Sequence, residues 1–300
     1  KADAVVATIE AGAFMMTSSR SPGKLLLNLA PTGMVPTRQM SPCVPLSPEE
    51  IIADAVAAAA MGVNIVHIHA RDEAGVPTYR KEVYARIIGG IRERCPDLVI
   101  CVSLSGRDFR SFEERSDALR LTGDVAPDMA SLTLSSMNFA KVESVNSPAM
   151  IRRLAELMGE RGIKPELEAF DAGMVNYAGY LADRDIIRPP FYFNFLLGNV
   201  SSAQVKPAHL GLMMSELPPQ SYWCGAGIGA RQLDANMLGL LFGNGARVGL
   251  EDYLWLDPER RVPARNEDMV RRVVDLAIML DRQIASTGET REMLGLRHVH

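Results

Sequence analysis

Eight short apolar segments, most followed by a stretch carrying helix signals, recur along this chain of 300 residues. That alternation limits the fold more than any other feature. The segments are residues 25–29, 64–70, 98–104, 130–134, 165–170, 191–197, 221–225 and 246–250. Near-continuous apolar strands are buried on both faces, the pattern of a parallel sheet covered by helices. Eight such units close into a ring, whereas open doubly wound sheets usually have fewer strands. The expected fold is therefore an α/β protein, a (β/α)8 TIM barrel, with residues 25–300 as one catalytic domain. Length alone suggests two domains, but α/β barrels of this size form one, and no linker divides the chain. Residues 1–24 are left as an N-terminal extension, an extra helix on the barrel bottom or against a neighbouring subunit.

Helix boundaries support the alternation. Ser47-Pro48-Glu49-Glu50 is a capping box with proline in the first turn, and Met61-Gly62 closes that helix. A second helix is expected from Thr78 to Arg94, stopped by Pro96. Ser147-Pro148 opens another, ended by Arg161-Gly162. Residues 232–242 precede the last strand, and a long terminal helix runs from Asn266 to about Ala285.

Lys and Arg number 32 against 36 Asp and Glu, a formal charge of −4. A general nucleic-acid binder needs a basic face to neutralise phosphates, and no run of like charge provides one. No window of 18 apolar residues exists, so no transmembrane helix is expected. The apolar stretch 4–16 is broken by Glu10 and lacks a basic lead, which argues against a signal peptide. Cys43, Cys95, Cys101 and Cys224 form no C-x-x-C pair and are too sparse for a disulfide framework; reduced thiols in a cytoplasm are expected.

In such barrels chemistry sits at the C-terminal ends of the strands. Strand two ends His67-Ile68-His69-Ala70-Arg71. Side chains two apart share a strand face, so both imidazoles can reach one metal ion at the mouth. The bland reading is two buried structural histidines. With five histidines in the chain, two of them in the tail, the pairing favours metal. The last strand ends Arg247-Val248-Gly249-Leu250-Glu251-Asp252. Glu251 can complete a two-histidine, one-carboxylate set, and Asp252 can act as a base beside Arg247. Equally, adjacent acids at a strand end can start a loop that faces water.

Ser103 and Ser131 lie in apolar strands, where a hydroxyl costs desolvation unless partnered. They can bind a carboxylate or carbonyl of a substrate, or bond the barrel's own backbone. Strand five carries Glu166 and Glu168; Glu168, nearer the mouth, is the one expected to face inward beside a cation. Gly225-Ala226-Gly227-Ile228-Gly229 lacks dinucleotide-loop spacing and is read as a close-approach loop able to offer N–H groups to phosphate. Neither a G-x-S-x-G elbow nor a P-loop lysine occurs. His209, following Lys206-Pro207, is read as surface or cap.

These pieces resemble the β-keto acid cleavage enzymes over roughly residues 25–296. The specific matches are Thr32-Gly33, Leu46-Ser47-Pro48-Glu49-Glu50-Ile51, His67-Ile68-His69-Ala70-Arg71, Lys164-Pro165-Glu166-Leu167-Glu168, Ala226-Gly227-Ile228-Gly229 and Arg247-Val248-Gly249-Leu250-Glu251-Asp252. The histidine pair with the late Arg-x-Gly-x-Glu-Asp, in that order, is the strongest part. The resemblance implies a zinc-dependent barrel, a homotetramer, that condenses a β-keto acid with acetyl-CoA and releases acetoacetate and a new acyl-CoA. It assigns His67, His69 and Glu251 to zinc (Zn2+), and Asp252 and Arg247 to proton transfer. It assigns Ser103, Ser131, Thr32, Gly33 and Glu168 to the substrate.

The chain departs from the family members that act on 3-keto-5-aminohexanoate. Those carry an acid just after Thr-Gly, where it meets the substrate's ammonium; here Met34 and Val35 follow Gly33. Neutral β-keto acids, or dicarboxylic ones received by Arg107 or Arg110, are therefore expected to be better substrates. The competing reading is a metal-dependent hydrolase of the amidohydrolase type, which places further histidines on later strands. No later strand here ends in histidine.

Overall fold

The structure, a computed structural model, describes residues 23–297. The expected extension at the N-terminus, apart from Gly23 and Lys24, lies outside the described residues, as do His298 and His300.

Eight parallel strands close the barrel: β1 Leu26–Leu29, β2 Ile65–Ile68, β3 Val99–Val102, β4 Met129–Thr133, β5 Lys164–Ala169, β6 Phe191–Leu197, β7 Ser221–Gly227 and β8 Gly245–Val248. Each pairs with its chain neighbours, and β1 closes the ring against β8 with Asn28 opposite Arg247. One helix follows each strand: α1 Pro48–Ala60, α2 Lys81–Arg92, α3 Phe112–Arg115, α4 Pro148–Arg161, α5 Ala172–Ala182, α6 Pro207–Ser215, α7 Gln232–Phe242 and α8 Asn266–Met279. A ninth, α9 Thr287–Leu294, ends the described chain. A two-residue hairpin, Met137–Asn138 with Glu143–Ser144, rises between β4 and α4 and was not foreseen.

The local signals act as expected at the starts of α1 and α4, whereas α2, expected from Thr78, begins at Lys81 with no side-chain cap. Ser47 Oγ accepts the Glu50 N–H while the Glu50 carboxylate accepts the Ser47 N–H, satisfying two donors at the start of α1. Ser147 caps α4, and Gly162 ends it in the left-handed conformation at φ 67°. The terminal helix stops earlier than expected, at Met279. The chain turns at Asp281 and pairs beside β1, with the Leu25 N–H bonding the Gln283 carbonyl and the Ala285 N–H bonding the Leu25 carbonyl.

The glycine-rich stretch also differs from expectation. β7 runs on to Gly227, and a Cβ on Gly225 would lie 2.0 Å from the Ala235 carbonyl oxygen. This glycine lets α7 press directly on the strand. The Ile228 and Gly229 N–H groups are already given to the carbonyls of Leu197 and Asp252, so they are not offered to phosphate. His209 sits at the start of α6, where its Nδ1 accepts the Gln204 N–H.

Inside the barrel, Leu26, Ile65, Val99, Cys101, Met129, Tyr192 and Cys224 pack into one apolar layer with Leu294 of α9. The C-terminal helix thus closes the bottom, and the polar inward residues collect at the top. All four cysteines are free thiols. Among the described residues no helix is long and apolar enough to cross a membrane.

Candidate active site

His67 and His69 point inward from the end of β2, as the two-residue strand period requires. Their Nε2 atoms are 3.3 Å apart. The segment after β8 brings Glu251 to the same point: Oε1 is 3.2 Å from His69 Nε2, and Oε2 is 3.8 Å from His67 Nε2. Gly33 makes room for it. At φ +71° this residue would carry a Cβ only 2.6 Å from Glu251 Cγ, so the position requires both glycine's conformation and its missing side chain.

Below the histidines lies a second, deeper layer. Glu166, fully buried, accepts a 2.6 Å hydrogen bond from His67 Nδ1. Its carboxylate also receives Asn28 Nδ2 and Asn194 Nδ2 at 2.7 and 2.8 Å. Burial opposes the charge on Glu166, but His67 and Arg247 outweigh it and hold the carboxyl down at about 2. This carboxylate fixes the ring of His67 and leaves Nε2 directed at Glu251, the arrangement that supports metal-binding histidines.

Arg247, also buried, is the hub of the upper layer. Its guanidinium lies 2.9 Å from Glu251, 3.1 Å from Asp252, 3.2 Å from Glu168 and 4.0 Å from Glu166. Four carboxylates therefore share one arginine, a large surplus of negative charge when the imidazoles are neutral. Glu251 Oε2 is buried and has no hydrogen-bond partner. Two imidazole nitrogens and a Glu251 carboxylate oxygen, all within 4.8 Å of one another, make a donor set suited to a divalent cation. A cation there would satisfy the orphan oxygen and offset the surplus charge together. Burial pushes Asp252 up to about 6, Glu251 adds to the rise, and Arg247 opposes it.

His69, Ser103, Glu168, Arg247, Glu251 and Asp252 all line a cavity of about 920 Å³ over the barrel mouth. That is room for a small acid together with part of a larger co-substrate. The structure places Thr32 and Ser131 elsewhere. Thr32 is buried and donates its hydroxyl to the Pro45 carbonyl. Ser131 Oγ accepts the Leu104 N–H, tying β3 to β4. Thr133, not singled out from sequence, lines the cavity and donates to Glu168 at 2.6 Å. Glu166 and Glu168 both face inward, where only Glu168 was expected. Asn28 and Asn194 were also missed. Their signal was available: a single asparagine inside an otherwise apolar strand must find a buried partner.

Arg71 follows the histidines on the same face and is spent on the loop after β1. It donates to the carbonyls of Gly33 and Pro36, and to that of Gly75. Arg110, expected as one of two anion receptors, is exposed and paired with Glu143.

The chain is similar to several known proteins. The family model for beta-keto acid cleavage enzyme matches residues 24–296. The 3-keto-5-aminohexanoate cleavage enzyme of Fusobacterium nucleatum is 36% identical over 275 residues, covering 91% of this chain and 98% of that protein. The 3-oxoadipate:acetyl-CoA acetyltransferase of Cupriavidus necator is 32% identical over 274 residues, covering 90% and 94%. Among solved structures, that of apo ObcA superposes with a TM-score of 0.73 at 22% identity. It covers 85% of this chain and 66% of the ObcA chain, a likeness of fold.

Proposed function

The chain belongs to the β-keto acid cleavage enzyme family, and from that premise we propose that it transfers the acyl part of a β-keto acid to CoA. A β-keto acid and acetyl-CoA enter; acetoacetate and a new acyl-CoA leave. The observation that carries this reading is the meeting of His67, His69 and Glu251 beside the Arg247–Asp252 pair, with all of these but the buried His67 on the wall of one cavity.

His67, His69 and Glu251 would hold zinc, the ion preferred by such a nitrogen and oxygen set. When bound, zinc supplies Lewis-acid polarisation of the keto oxygen, which acidifies the neighbouring CH₂. Asp252 takes that proton. Raised to about 6 by burial, its carboxyl is near the balance that suits a general base at neutral pH. Arg247 donates to both Asp252 oxygens, at 3.1 and 3.4 Å, and so holds the base in one orientation. The carbanion formed attacks the acetyl-CoA carbonyl and releases the CoA thiolate. The thiolate then adds to the keto carbonyl, and the carbon–carbon bond breaks to give acyl-CoA and the acetoacetate carbanion. Asp252 returns the proton to that carbanion.

The cycle needs no protein nucleophile, in keeping with the two thiols buried inside the barrel, Cys101 and Cys224, whose pKa values are both raised by burial. The hydrolase alternative would place later-strand histidines at the metal; here a carboxylate stands in that place. The test is a panel of β-keto acids with acetyl-CoA, read by mass spectrometry. New acyl-CoA together with stoichiometric acetoacetate is expected. Hydrolysis of any substrate without acyl-CoA formation would sink the proposal.

A further inference from the structure

The cavity wall contains two cations that the reaction above does not use, Arg107 and Lys141, and the first is held in place by its surroundings. Arg107 follows β3, and its guanidinium lies 4.1 Å from the centre of the Phe139 ring, stacked on it. Among the described residues no carboxylate lies within ion-pairing distance of it. Its Nε is buried with no hydrogen-bond partner. A guanidinium held on an aromatic face keeps its N–H edge available to a planar anion.

The two segments that hold Arg107 are locked together. Buried Arg115 donates to the Leu104 carbonyl on one side and to Asn146 Oδ1 on the other. Asn146 in turn bonds the Ser135 carbonyl and Ser144 Oγ, and its N–H bonds Ser136 Oγ. This network braces the segment after β3 against the hairpin that carries Phe139. The receptor is therefore organised before any ligand arrives, which spares the entropy of ordering it. Met34 and Val35 line the same cavity and offer an ammonium no partner. Asp108 lines the same cavity but is exposed and makes no ion pair with Arg107; Lys141 adds a second cation to that wall.

We propose that the cavity selects β-keto acids bearing a second carboxylate at the end remote from the reacting carbon, and that Arg107 binds that carboxylate. This rests on the family reaction above and names its substrate class. Arg107 is bonded to none of the groups around Arg247, so it acts in specificity and not in proton transfer.

The test compares 3-oxoadipate with 3-oxohexanoate, which has a methyl group where the distal carboxylate stands. Wild type, Arg107→Gln and Arg107→Lys are assayed with acetyl-CoA, and binding is measured by calorimetry without it. The glutamine variant is expected to raise both KM and Kd for 3-oxoadipate about 10- to 100-fold, the worth of a hydrogen-bonded charge. Values for 3-oxohexanoate should stay within about twofold, and lysine should restore part of the loss. Equal losses for both acids overturn the inference. So does a rise confined to the KM of acetyl-CoA, which would give Arg107 to a phosphate of CoA. If no acyl-CoA forms but 3-oxoadipate still binds through Arg107, the family reaction fails and this assignment stands.

Discussion

Two buried arginines stand at opposite ends of this barrel, and their surroundings differ in kind. At the bottom, Arg291 of α9 meets Asp128 at 2.9 and 3.1 Å and gives further N–H bonds to the carbonyls of Asp97 and Arg297. Asp128 also pairs with Arg92. Negative charge does not exceed positive there, and the apolar layer around Leu294 seals the end. At the mouth, Arg247 meets four carboxylates, and one buried carboxylate oxygen has no partner. A fully bonded arginine with no surplus of acid around it serves stability. An arginine crowded by surplus acid, in a site open to a cavity, is arranged for a ligand that is yet to be supplied.

The comparison breaks first at the metal ligands. His67→Ala should abolish zinc binding and reduce turnover to background, while circular dichroism still shows the barrel, because the bottom layer is untouched. Full turnover with stoichiometric zinc in that variant would falsify the ligand assignment. A smaller effect is expected from Asp252→Asn, which keeps size but removes the base. Zinc content should stay near normal and kcat should fall at least about 100-fold; an unchanged kcat removes Asp252 from the mechanism.

Glu166→Gln tests the deeper layer. The amide no longer offers His67 Nδ1 a charged partner, so zinc affinity should drop about 10- to 100-fold, as losses of such supporting groups do. Excess zinc should restore much of the activity. Affinity equal to wild type in a chelator competition would mean that Glu166 serves folding alone.

At the other end, Leu294→Ala should leave kcat and zinc content within about twofold of wild type. Its cost should appear in denaturant unfolding, at about 2–5 kcal/mol for a buried leucine truncated against a packed layer. A loss of kcat without loss of stability would mean that the two ends are coupled.

The strand count, the parallel order and the helix caps were legible in the chain because each rests on neighbours in sequence. Apolar runs mark buried strands, Ser47 with Glu50 and Ser147 with Pro148 mark helix starts, and a period of two puts His67 and His69 on one face. The short helix after β3 and the Phe139 hairpin were not visible, since neither has a strong apolar period. The site was half legible. Residue types at strand ends pointed to a mouth with metal-binding chemistry, and the family resemblance sharpened their roles.

What sequence could not decide was which polar group bonds which, because those partners lie far apart along the chain. Glu166 and Glu168 are both tolerable inside only because Asn28, Asn194, His67 and Arg247 arrive from four other strands. Thr32 and Ser131 looked like substrate hydroxyls until the loop at Pro45 and the start of the segment at Leu104 came within hydrogen-bond reach. Arg107 and Arg110 were equivalent candidates three residues apart. The structure separates them: Arg110 is neutralised by Glu143, while Arg107 lies on Phe139 with its charge unanswered. Local order follows from local residues, whereas the charge balance of a buried site is the sum over strands that only the closed barrel brings together.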